Sequence, residues 1–440
     1  KQKFKDKKNP PQQQLLKLLA HYQNRRFSEA EKLATSITQK FSKHQFSWKV
    51  LGAVLKQTGR VSESLVANQK SVQLTPQDAA AHYNLGNTFK ELNRLEEAEA
   101  SYRQAIALKP NYAEAHSNLG NILSELGRLE EAEESYTKAI ELNPHIPDPR
   151  QNLVELLTTY APKKEILHPI VKVDQEIKRI DLKEKSSGII SDDEIIQLFC
   201  KSSSIIKRHN LELGTDLSQI YRRNAVDLDC KRHMAIFNKS NIIPKFCFGC
   251  YKVQVEPRSI LELIKLFVVF DQIKLVENNI RKCMLEMRPE ISGFYKGLIY
   301  CSSLEEAYQI AGYLEIAVKE NIGPGLHVVV KRGCSEYPLS FPDYKEINRL
   351  GPQLMSYNED WKLIEEDHDS INSINSIKPN KIISPSLSGL NLSDVLIIRN
   401  WVDYAKGIGD SSVHLLNQNT VSSQSIYRVA KKRLETYPWR

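Results

Sequence analysis

No apolar run of about 18 residues occurs in the 440-residue chain, which leaves no candidate for a membrane-spanning helix. The first residues lack an apolar core followed by a small-residue cleavage site. No secretion signal is read, so the expected compartment is the cytoplasm. Signposts of the commoner chemistries are also missing. There is no Gly-x-x-x-x-Gly-Lys-Ser/Thr loop, no His-Glu-x-x-His, no Gly-x-Ser-x-Gly, no dinucleotide fingerprint, and no His-x-Asp pair among the 11 histidines. Neither sign of charge dominates: 61 Lys and Arg against 53 Asp and Glu give +8, part of it in the leader Lys1-Gln2-Lys3-Phe4-Lys5-Asp6-Lys7-Lys8, read as a solvated tail. Cysteine is sparse and odd in number, at 7, which argues for reduced thiols or metal ligands over a disulfide framework. What remains, 41% hydrophobic and 26% charged, is an ordinary globular composition with length for two or three domains.

The strongest positive signal is internal repetition. Asn84-Leu85-Gly86-Asn87, Leu92, Leu95-Glu96-Glu97-Ala98-Glu99, Tyr102, Ala105-Ile106 and Pro110 return 34 positions later as Asn118-Leu119-Gly120-Asn121, Leu126, Leu129-Glu130-Glu131-Ala132-Glu133, Tyr136, Ala139-Ile140 and Pro144. The register survives upstream in Leu51-Gly52, Gly59, Ser64 and Pro76, then only in Phe27-Ser28-Glu29-Ala30, and downstream in Asn152-Leu153. Small residues at Gly86, Ala98, Gly120 and Ala132 let paired helices approach, and Pro110 and Pro144 end the second helix of each pair. One hairpin cannot bury its own apolar face, so the units stack, with the degenerate first unit and a helix over Pro149–Thr159 as caps.

This pattern resembles the tetratricopeptide repeat family over roughly 130 residues. The resemblance implies an all-α solenoid whose first helices line a concave surface that holds a protein or extended peptide. Asn84, Asn118 and Asn152 recur at one position of successive units, with Asn87 and Asn121 beside them. A ladder of side-chain amides suits the repeating donors and acceptors of a peptide backbone, and the family resemblance implies that use. His82 and His116 share a phase and are read as plain surface or packing positions.

Residues 12–160 are thus assigned to the solenoid, and 161–190, with Pro162, Pro169 and Ser186-Ser187-Gly188, to a linker. A second domain is expected over 191–345. Asp192–His209 and Leu217–Phe237 read as helices, Tyr251–Glu256 as a strand, and Pro257-Arg258-Ser259 as the start of an apolar helix. Lys282–Met287 and Tyr295–Tyr300 read as strands, Ser303-Leu304-Glu305-Glu306 as a capped helix start, and His327–Lys331 as a last strand. That β-α-β-β-α-β order is similar to the ferredoxin-like α+β fold, whose sheet runs 4-1-3-2. Residues 346–395, with the near-repeat from Ser370, read as a low-complexity loop, and 396–440 as a helical tail in which Trp401 and Trp439 anchor packing.

In that topology Cys247 and Cys250 precede the first strand, Cys283 begins the second, Cys301 ends the third and Cys334 follows the fourth, which gathers them at one end of the sheet. Cys230 and His233 lie upstream in Cys-x2-His spacing, thirteen residues before Cys-x2-Cys, close to a zinc knuckle. Soft thiolates select zinc, an iron-sulfur cluster or copper(I). The expectation is a zinc shell of Cys230, His233, Cys247 and Cys250, or an iron-sulfur cluster drawing on four of the thiols Cys230, Cys247, Cys250, Cys283, Cys301 and Cys334. Buried packing is the alternative for these residues. Lys296-Gly297-Leu298-Ile299-Tyr300 and the helix after it are also similar to RNA-recognition-motif domains, which would imply RNA stacked on sheet aromatics. The leading reading is an adaptor with a peptide groove and a metal-stabilised second domain. A metal-dependent modifying or redox enzyme is the alternative, and RNA binding a third.

Overall fold

The computed structural model describes residues 9–163, 167–180, 188–373, 384–416 and 421–436. The charged leader, Ser186-Ser187, the near-repeat beyond Ser373 and Trp439 lie outside the described residues. The described residues divide into two compact units, 9–153 with 371–373, and 154–370 with 384–436.

The first unit consists of helices α1 (Gln12–Gln23), α2 (Phe27–Lys40), α3 (Gln45–Gln57), α4 (Val61–Leu74), α5 (Ala79–Glu91), α6 (Leu95–Leu108), α7 (Ala113–Glu125) and α8 (Leu129–Leu142), with α9 (Pro147–Leu156) at its end. Closest packing is within the pairs α3/α4, α5/α6 and α7/α8. The sequence explains both turns of each repeat. After the first helix of successive pairs, Arg25, Gly59, Asn93 and Gly127 hold left-handed backbone, with φ of 57°, 78°, 56° and 77°. At this place the chain must reverse, and glycine does so without a Cβ clash. After the second helix, Thr75, Lys109 and Asn143 each precede a proline and have left helical geometry, with ψ of 81°, 86° and 93°.

Close approach within a pair is set by glycine against a ring. A Cβ on Gly86 would lie 2.7 Å from Tyr102, and one on Gly120 would lie 2.6 Å from Tyr136. One repeat upstream Gly52 faces Asn68 instead, which is buried and donates to Ser64 Oγ and Thr88 Oγ1. The register therefore persists after the aromatic has been lost.

The second unit contains α10 (Pro169–Lys178), α11 (Asp192–Arg208), β1 (Gln219–Arg222), α12 (Cys230–Ser240), β2 (Tyr251–Val255), α13 (Ile260–Gln272), β3 (Arg281–Leu285), β4 (Tyr295–Cys301), α14 (Leu304–Asn321), β5 (Val328–Arg332), α15 (Tyr337–Ser340), α16 (Trp361–Ser373), α17 (Leu392–Ile408) and α18 (Gln424–Thr436). The sheet runs β1-β3-β4-β2-β5 with every neighbour antiparallel. Helices α13 and α14 pack on the face that carries Gly297, where a Cβ would lie 2.3 Å from Leu266. α13 is buried along nearly all its length because α11, α14 and α17 close over it.

Three segments differ from the sequence reading. Leu217–Phe237 is not one helix: Gln219–Arg222 alternates in burial and joins the sheet edge beside β3, and Asp229, at φ 49°, starts α12 afresh. Pro169 opens α10 at its first turn, where a missing N–H costs nothing, so the proline read as a linker signal is a helix start. The stretch read as a low-complexity loop contains α16, whose Trp361 meets Phe341 and Phe248 at 5.4 and 6.4 Å between ring centres.

An ion-pair cluster ties α17 to the sheet edge and α13. The buried Arg222 donates to Asp271 on α13 at 2.5 Å and to Asp394 on α17 at 3.0 Å. Asp394 also closes a capping box with Asn391.

Candidate functional site

In the first unit the first helices of successive pairs touch one another, α1 with α3, α3 with α5 and α5 with α7, and no comparable contact joins α4 to α6 or α6 to α8. The first helices thus form the inner surface. On it the asparagines are bonded into pairs. Asn118 Nδ2 donates to Asn87 Oδ1 at 3.0 Å and to the Tyr83 hydroxyl at 3.1 Å, and Asn152 Nδ2 donates to Asn121 Oδ1 at 2.8 Å. The same oxygens accept from the glycine-packed rings: Tyr102 donates to Asn87 Oδ1 at 2.7 Å and Tyr136 to Asn121 Oδ1 at 2.9 Å.

These bonds fix how each amide is turned. An amide has two acceptor sites and two donors, so the oxygens of Asn87 and Asn121 are saturated from within and their Nδ2 groups are left over. Asn118 and Asn152 use Nδ2 internally and leave Oδ1. Each pair therefore offers a donor beside an acceptor, and all four residues are half-buried. Asn84 is the exception, since its side chain forms no hydrogen bond among the described residues. The sequence singled out the recurring asparagines, but not that half of each amide is spent on the fold. The tyrosines fifteen positions after Asn87 and Asn121 were the available signal. His82 and His116 donate to the carbonyls of Pro76 and Pro110 at 2.9 and 3.0 Å, the packing alternative of the reading given for them.

Strand alternation sets Cys283 and Cys301 on the other face of the sheet from Cys334. Cys283 opposes Gly297 and Cys301 lies two residues beyond Ile299, so both face the helices, where they are buried. Cys334 lies on the opposite face with Lys252 Nζ 3.6 Å from its sulfur, and Cys230 is close to the same lysine. Cys247 belongs to an aromatic cluster with Tyr337, whose hydroxyl is 3.2 Å from its sulfur, and Tyr344. His233 stacks on Phe246 with 5.1 Å between ring centres. Among the described residues no group of three or more His, Cys, Asp and Glu side chains is placed to hold a metal ion.

Cys230, His233, Cys247 and Cys250 do not form such a group, and the buried Lys252 ammonium lies 3.6 Å from the Cys334 sulfur. Burial pushes Cys250 up to about 11 and Cys247 and Cys301 up to about 12, and it drives Cys283 higher still, so these groups are neutral thiols at neutral pH.

The sheet face turned away from α13 and α14 carries Tyr221, Lys282, Tyr300, Lys252 and Lys331. Lys252 lies 5.1 Å from the Tyr300 ring centre, and Lys282 5.9 Å from it and 5.5 Å from that of Tyr221. Burial and the neighbouring Lys252 push Lys282 down to about 8. Lys252 is buried against the Tyr300 ring and the Cys334 sulfur. The tyrosine faces are covered by ammonium groups, so the stacking platform expected for RNA is not laid open.

Three family models match the repeats, one described as TPR repeat over residues 86–127 and two described as tetratricopeptide repeat over residues 67–100 and 113–146. Residues 67–146 are tetratricopeptide repeats. No curated protein sequence matches the chain. Solved structures with a similar chain course include MamA from Desulfovibrio magneticus RS-1, 19% identical over 32% of this chain and 81% of that one, with a TM-score of 0.31. The first TPR of Spaghetti (RPAP3) bound to the HSP90 peptide SRMEEVD is 24% identical over 26% and 89%, with a TM-score of 0.25. YrrB, described as a TPR protein with an unusual peptide-binding site, is 15% identical over 47% and 91%, with a TM-score of 0.32. At scores this low the likenesses bear on neither function nor partner. No helix among the described residues is long and apolar enough to cross a membrane.

Proposed function

We propose that the tetratricopeptide unit is a protein-interaction module that holds an extended peptide along the inner surface of α5, α7 and α9. The observation that carries this reading is the pairing of Asn87 with Asn118 and of Asn121 with Asn152. An extended backbone presents an N–H and a C=O at each residue whatever its side chains. A wall with oriented donors and acceptors in alternation suits it without demanding a sequence. Because tyrosine and asparagine partners already fix the amides, less rotamer freedom is lost when a peptide arrives. Asn84 adds a free amide at the edge of the array. The matches to tetratricopeptide families support the protein-interaction role, and the bonded pairs support its location.

For the second unit, the connectivity β2-α13-β3-β4-α14-β5 supports a ferredoxin-like reading with β1 added at one edge.

The test is a footprint. Peptides selected from a random displayed library against the full chain are added at saturation, and amide exchange is followed by mass spectrometry. Protection over Ala79–Glu91, Ala113–Glu125 and Pro147–Leu156 is the expected result. Saturable binding with protection confined to the second unit would overturn the proposed location.

A further inference from the structure

The second unit carries an arrangement of charge that its own fold does not balance. Lys252 and Lys331 stand directly opposite each other on the antiparallel strands β2 and β5, and Lys282 shares their face of the sheet. Like charges placed directly across a sheet oppose its pairing. Lys331 leans 3.9 Å toward Glu256, and Lys282 donates to the neutral Gln219 Oε1 at 3.2 Å. Lys252 is only 8% exposed. Its ammonium reaches one polar atom, the Cys334 sulfur at 3.6 Å, together with the face of Tyr300. Among the described residues neither Lys252 nor Lys282 has a carboxylate within ion-pair distance.

The neighbouring charges do not fill that gap. Arg288 is occupied by Glu286 and Glu336, and Lys296 lies 3.3 Å from Glu286, so the acids of this face are already engaged. Burial raises the thiols of Cys250 and Cys230, which keeps them neutral. A buried ammonium without an anion and a second on the same face share one requirement, which is negative charge with several acceptor oxygens.

We propose that this face of the sheet binds a phosphate oxyanion, free or as a monoester, between Lys252 and Lys282. The tyrosine rings hold the two ammonium groups in place from the side, and half-buried Tyr221, Lys282 and Lys331 form the rim through which the ligand enters. This proposal is independent of the peptide groove.

The test uses the full chain in phosphate-free buffer, titrated calorimetrically with inorganic phosphate and separately with adenosine monophosphate. Saturable one-to-one binding is expected. Equal affinities would assign the site to free phosphate, and tighter binding of the nucleotide to a monoester. Lys282→Gln should weaken binding by about tenfold or more. Lys252→Met should abolish binding and, by removing an unbalanced buried charge, raise the melting temperature of the ligand-free protein. Absence of saturable binding by either ligand would overturn the proposal, as would binding unchanged in Lys282→Gln. A lowered ligand-free melting temperature for Lys252→Met would also overturn it, because it would make the lysine part of the fold alone.

Discussion

Replacing Asn118 with alanine separates the structural half of the amide array from its binding half. The substitution removes the bonds from Asn118 Nδ2 to Asn87 Oδ1 and to the Tyr83 hydroxyl. Each half-buried bond contributes about 0.5–1.5 kcal/mol, so their joint loss comes to about 1–3 kcal/mol. The lower half of that range is expected, because Asn87 Oδ1 keeps Tyr102 and the Tyr83 hydroxyl is half-buried and can reach water. Asn84→Ala removes no side-chain bond among the described residues and should cost less than about 0.5 kcal/mol. Native-state amide exchange on the full chain reads both: opening free energies over α5 and α7 should fall for Asn118→Ala, hold for Asn84→Ala, and stay level over the sheet. Equal losses for the two variants, or none for Asn118→Ala, would refute the bonding scheme.

Further outcomes follow from other contacts. Arg25 occupies the left-handed turn position that Gly59 and Gly127 fill elsewhere, so Arg25→Gly should stabilise the first pair by up to about 1 kcal/mol, seen as a higher melting temperature. Gly120→Ala forces a Cβ onto Tyr136 at 2.6 Å and should cost about 1–3 kcal/mol by the same measurement. Burial opposes ionisation of Asp78, but Lys49, Gln45 and the Ala81 N–H outweigh it and hold its carboxyl below the ordinary value. A depressed carboxyl stabilises the fold above its unfolded value of about 3.9 and loses that contribution as pH falls through the folded value. Asp78→Asn should therefore lower stability at neutral pH and flatten the acid-side decline. Arg222→Met leaves Asp271 and Asp394 buried without their cation and should cost about 3–5 kcal/mol in denaturant melts that report on the sheet.

How far the sequence could be read depended on the range of the interaction. The repeats were legible because Gly86 with Tyr102 and Gly120 with Tyr136 are local pairs copied at a fixed period, and the prolines after Lys109 and Asn143 stop helices whatever lies around them. The left-handed turn at Arg25 was not, since arginine gives no sign of the backbone it must adopt. In the second unit, strand positions placed Cys250, Cys301 and Cys334 near one sheet end. The faces decide what meets, and the parity shared by Ile299 and Cys301 already put that thiol on the side away from Lys252. Strand β1 was missed because four residues of alternation beside a helix carry a weak period. The lysines of the open face resembled solvated strand ends, and the register of Lys252 against Lys331 exists only once the sheet is paired. Arg222 with Asp394 joins residues far apart in the chain, and no local pattern announces such a pair.

The measurement that bears most directly on the central claim is the affinity of a library-selected peptide for the wild-type chain and for Asn84→Ala, by calorimetry. Asn84 lies on the inner surface and its side chain is free of the fold, so the account predicts an unchanged melting temperature with binding weakened about three- to tenfold, as befits the loss of one hydrogen bond to the peptide backbone. Identical affinity for the two proteins, with the melting temperature also unchanged, would contradict it and remove the amide array from the binding surface.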